Sequence, residues 1–141
     1  MLVASQTPAF GVPIDITRLA DLHFGTLAAD PTLAGTVTIN PMNNVKTVGG
    51  GVLDLGGVHS RATFRVTGDP NTAFTVILPV SVTLTSGANS MTLNGISSNP
   101  SGVGILNGGG LRILFVSGTL QVAAGQAAGN YSGAFTIIVN Y

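Results

Sequence analysis

At 141 residues the chain is about one domain's worth; 45% of it is apolar and only 7% charged, with five basic residues, five acidic residues and no cysteine. Zero formal net charge and the lack of a basic patch give no footprint for a phosphate backbone, which speaks against nucleic-acid binding. The apolar runs are only a few residues long, which excludes a membrane-spanning helix of about 20 residues.

Ser, Thr, Asn and Gly stand in for charge as solvating groups, and all five acids are Asp. Helix formers such as Glu, Lys and Gln are scarce, whereas Val, Ile and Thr are plentiful, which favours strands. The 20 glycines and 7 prolines supply turns.

In chain order, an N-terminal arm comes first. Its even positions read Leu2, Ala4, Gln6, Pro8, Phe10, Val12, Ile14 and Ile16. Gly35–Ile39 alternates and stops at Asn40-Pro41. Thr63–Thr67 alternates and stops at Gly68-Asp69-Pro70-Asn71. Phe74–Leu78 stops at Pro79, and Val80–Thr85 stops at Ser86-Gly87. Met91, Leu93 and Ile96 mark a further strand before the loop 97–102, then come Leu111–Val116 and Thr119–Val122 as two strands. Gln121–Ala128, with Gly125 and Gly129, reads as a loop or one turn, and the triplets at 49–51 and 108–110 read as hairpin loops. The last strand, Ala134–Tyr141, sets Phe135, Ile137, Val139 and Tyr141 on one face.

Short strands spaced by turns predict an all-β, antiparallel sandwich or barrel in one domain. The ends are mismatched: nothing follows Tyr141 to pair with the far edge of the last strand, and the arm has no obvious partner. Residues 1–13 are therefore expected to be a donor arm and 14–141 a β-sandwich. Leu2, Ala4, Phe10, Val12 and Ile14 would be the arm's anchors, and Phe135, Ile137, Val139 and Tyr141 would form the acceptor groove. A sandwich closed by its own arm is the alternative.

Catalytic chemistry finds little to build on. His23 and His59 are the only histidines, too few for a zinc site without cysteine. His23 reads as an outward strand residue and His59 as a loop residue. The five Asp are dispersed, no Gly-x-Ser-x-Gly elbow exists, and the triplet 49–51 lacks the Gly-Lys-Ser/Thr of a phosphate loop. Lys46 reads as a solvated loop charge and Asp69 as a turn residue. Arg61 and Arg65 share a strand face and, with His59, form at most a weak basic stripe. No catalytic, cofactor-binding or metal-ligating residue is expected, and no enzyme. Tyr131 reads as a corner tyrosine.

Leu22–Gly25, Gly35–Pro41, Ala62–Gly68, Ile77–Pro79, Gly118–Val122, Gln126–Gly133 and Val139–Tyr141 together resemble a widespread bacterial domain of unknown function. The tail Gly129–Thr136 is similar to those of spore-coat-U-like and archaic chaperone–usher pilus subunits. That resemblance implies an immunoglobulin-like, pilin-type fold and polymerisation of copies of the chain by donor-strand exchange. It also implies a periplasmic chaperone and an outer-membrane usher as partners. Two departures stand out: the chain has no disulfide, and Pro8 and Pro13 remove ladder donors from the arm.

Met1–Ala4 lacks the basic n-region and long apolar h-region of a signal peptide. The expectation is an exported chain whose leader has been removed, periplasmic before assembly and then on the cell surface. The expected function is a structural subunit of an extracellular filament, serving adhesion or biofilm formation. The competing expectation is a monomeric secreted carbohydrate-binding or adhesive module, against which the sparse aromatics (6%, no Trp) count.

Overall fold

The computed structural model describes residues 11–128 and 136–141 in full and the backbone of 2–5. Those residues form strands joined by turns and loops, with no helix among them. The strands are β1 (Leu2–Ser5), β2 (Asp15–Ala20), β3 (His23–Phe24), β4 (Leu27–Ala29) and β5 (Gly35–Ile39). Then come β6 (Lys46–Gly50), β7 (Val52–Asp54), β8 (His59–Ser60), β9 (Ala62–Thr67) and β10 (Ala73–Ile77). The last are β11 (Ser81–Ser86), β12 (Asn89–Asn99), β13 (Val103–Ile105), β14 (Leu111–Val122) and β15 (Thr136–Asn140).

They build a β-sandwich. One sheet has the order β1-β15-β10-β13. The other is a curled, seven-stranded sheet in the order β11-β12-β14-β5-β6, with β9 and β2 branching from β14. The pairs β3/β8 and β4/β7 make two small ladders beside it. Apart from β1 with β15, the pairings are antiparallel.

Period-2 alternation decides which side chains fill the space between the sheets. On β9, Ala62, Phe64 and Val66 are buried, and Arg65 between them is exposed. On β15, Ile137 and Val139 are fully buried. They join Ile14, Phe64, Phe74, Leu93, Leu106 and Leu114 in the main core. A second cluster, Val37, Val52, Leu120 and Val122, lies under the β5 half of β14.

The stretches read as two strands at 111–116 and 119–122 are one strand, β14. It changes partner midway, pairing with β9 through Leu111–Val116 and with β5 through Thr119–Val122. Asn44 staples this switch. Its side-chain oxygen accepts the Arg61 N–H at 3.0 Å, and its carbonyl accepts from His59 Nε2 at 2.9 Å. Likewise β12 runs on through Ser97 to Asn99, past an irregularity between Asn94 and Ser97, where a loop was expected.

Candidate functional site: the seat and root of the N-terminal arm

The far edge of β15 is occupied. β1 lies along it in parallel, with Leu2 opposite Thr136, Val3 opposite Ile137, Ala4 opposite Ile138 and Ser5 opposite Val139. β15 is thus an inner strand, flanked by β10 on one side and the chain's own arm on the other. Among the described residues β1 is an edge strand with this one ladder, of the parallel kind that is slightly less stable per residue.

The arm meets the body at a closed ring of hydrogen bonds. The Val12 N–H donates to Asp69 Oδ1 at 2.8 Å. The Asp69 N–H donates to the Tyr141 hydroxyl oxygen at 2.7 Å. The Tyr141 hydroxyl donates to the Val12 carbonyl. Both backbone groups of Val12 are therefore held, and two residues later Ile14 is fully buried in the core.

Local sequence makes the ring possible. Gly68-Asp69-Pro70-Asn71 turns the chain out of β9, and Asn71 takes a positive φ of 56° there. Gly11 adopts a φ of +95°, and a Cβ on it would run into the Asp69 carboxylate. A Cβ on Gly68 would run into the Tyr141 hydroxyl. Both positions require glycine because side chain and backbone approach so closely.

Of the anchors expected from sequence, Leu2 and Ala4 fall on β1, opposite Thr136 and Ile138. Val12 is half exposed and held by its backbone, and Ile14 belongs to the domain's own core. In the expected groove, Ile137 and Val139 point into the core, and Tyr141 packs at its border while carrying the ring with its hydroxyl. Phe10, Phe135 and Tyr131 lie outside the described residues. The part of Asp69 in the ring was missed, since the turn Asp69-Pro70 carries no mark of a partner 57 positions away.

Elsewhere several polar groups are committed to structure, while Ser117 Oγ and Asn140 Oδ1 are buried without a hydrogen-bond partner among the described residues. Lys46, expected in solvent, has a side chain only 5% exposed. Its Nζ lies 2.8 Å from Asp54 Oδ1 and donates to the Phe24 carbonyl at 3.1 Å. The Lys46 hydrogen bond, aided by the Gly56 N–H, holds the Asp54 carboxyl below its ordinary pKa. Arg61 lies 3.5 Å from the centre of the Phe115 ring and donates to the Pro41 carbonyl at 2.9 Å, so it is no free member of a basic stripe. Among the described residues, no three His, Cys, Asp or Glu gather as a metal site. No helix there is long and apolar enough to cross a membrane.

Fold and site together define an all-β sandwich with an N-terminal strand laid on its edge and locked at the root. The chain belongs to the family described as Domain of unknown function (DUF4402), which matches residues 14–141. No curated protein and no solved structure matches it.

Proposed function

We propose that the chain is a non-catalytic structural subunit of an extracellular bacterial filament, in which the arm of one copy takes the seat on β15 of the next. The observation that carries this reading is the tether. Ser5 stands opposite Val139, and Val12 is bonded to Tyr141, only two residues further on. Seven Cα steps join Ser5 to Val12, a reach of roughly 25 Å when extended, against about 7 Å between their partners along the strand. An arm on such a tether fits the seat of its own body or of a copy through the same ladder. Exchange of identical elements is a low-cost route to assembly, and a head-to-tail joint need not close, so an open fibre results.

Export, a periplasmic chaperone, an outer-membrane usher and a role in adhesion or biofilm belong to this proposal through the resemblance of the tail. The test is deletion of the residues before Val12, followed by size exclusion and electron microscopy. Loss of polymers supports the reading. Assembly equal to that of the full chain, or a full chain that stays monomeric with its arm on its own β15, sinks it.

A monomeric carbohydrate-binding module is the second reading. It rests on a shallow cavity of about 330 Å³ whose lining includes Asn99, Asn107, Arg112 and Phe115. Saturable binding of a glycan by the monomer, lost in Arg112→Ala, would favour it.

A further inference from the structure

The two outer faces of the sandwich differ in chemistry. On the seven-stranded sheet, the outward residues include Thr36, Thr38, Thr83, Thr85, Thr92, Gln121 and Arg65. Leu111, Ile113 and Phe115 of β14 also turn outward there, but Arg61 lies over the Phe115 ring and Arg65 places a charge on that face, so the exterior is largely polar. The four-stranded sheet departs from it. Its strands Leu2–Ser5, Thr136–Asn140, Ala73–Ile77 and Val103–Ile105 contain no ionisable residue. From residue 70 to 141 the only charged side chain is Arg112.

Phe74, Ile137 and Val139 turn inward on this sheet, so their neighbours turn outward. The register sets Ile105 opposite Ala73 and Val103 opposite Thr75. It also sets Thr75 opposite Asn140 and Ile77 opposite Ile138. Ile77, Val103 and Ile105 are 51%, 57% and 58% exposed.

The geometry points to this face as a second contact surface between copies of the chain, pairing face to face with itself. The charge pattern selects that occupant. An anionic lipid surface would call for basic side chains, and a sugar for aromatic platforms; the strands β10, β13 and β15 place neither on this face. A second copy sets Ile and Val against Ile and Val and buries no charge, and the Thr75 hydroxyl already donates to the Asn140 carbonyl at 3.4 Å. The area sets the strength. Three strands about 4.8 Å apart, two of five residues and one of three, span roughly 200 Å². A stable interface buries about 800 Å² on each partner. The contact is therefore weak and reversible between single chains, and repetition along a filament would strengthen it.

The inference does not require arm exchange, and the experiment separates the two. Full-length Val103→Lys and Ile77→Lys chains are compared with Thr83→Lys, an exposed site on the opposite face, by analytical ultracentrifugation from micromolar to millimolar concentration. Circular dichroism checks that each is folded. The Val103 and Ile77 variants are expected to self-associate about tenfold or more weakly than the Thr83 variant, because an unpaired ammonium buried against Ile and Val is costly. Equal association of all three chains overturns the inference. Failure of arm exchange shows instead as unchanged assembly on deleting the arm.

Discussion

Tyr141 donates its hydroxyl hydrogen to the carbonyl of Val12, a residue 129 positions earlier. The strand that forms the arm's seat thus also holds the arm's root, with Asp69 closing the ring between them.

Tyr141→Phe keeps the ring against the core but leaves the Asp69 N–H and the Val12 carbonyl without this partner. At about 0.5–1.5 kcal/mol net per hydrogen bond, the loss is roughly 1–3 kcal/mol. The thermal midpoint should fall by about 4 °C per kcal/mol for a chain of this size. Amide exchange at Asp69 should accelerate. An unchanged midpoint together with unchanged exchange at Asp69 would show that the ring does not hold the root.

Ile137 is fully buried between the sheets. Ile137→Ala is expected to cost about 2–5 kcal/mol in chemical denaturation, through lost transfer free energy and the cavity left behind. Thr136→Ala, on the neighbouring face, should cost roughly 0.5 kcal/mol or less. Equal losses at the two sites would contradict the facing of β15.

Acid stability should depend on Asp54. Its carboxyl is held below the ordinary value of 3.8, first by the Lys46 hydrogen bond and then by the Gly56 N–H. A folded pKa below the unfolded one gives stability that is complete above the unfolded value and lost as pH falls through the folded one. Asp30, lowered chiefly by the Thr32 N–H, acts in the same direction. Denaturation midpoints of the native chain should therefore drop as pH falls below 3.8. Asp54→Asn should be less stable near neutrality and flatter across that window. Parallel profiles for the two proteins would rule out this linkage.

Much of the strand pattern was legible because alternation is local. Thr63–Thr67 and Ile137–Val139 announce their inner and outer faces within a few residues, and Asn40-Pro41 and Gly68-Asp69-Pro70 announce where strands stop. The break read between Val116 and Thr119 was not a break. Ser117-Gly118 looks like a turn in isolation, but it is the point where one strand passes from β9 to β5, and both residues are buried there. Lys46 was read as solvated because its neighbours are loop-like, yet Asp54 and the Phe24 carbonyl enclose its ammonium.

What the sequence determined by itself is the class of fold and the faces of its strands, since hydrophobic period and turn chemistry are properties of neighbouring residues. The partners were decided only by the tertiary structure. That β15 has β1 on its open edge, that Tyr141 reaches Val12, and that Asp69 reaches back to the arm are pairings between residues 57 to 134 positions apart. Backbone groups are nearly alike along the chain, so a ladder or a cap carries no signature of its partner. The choice is made by which edges and ends packing the core brings together.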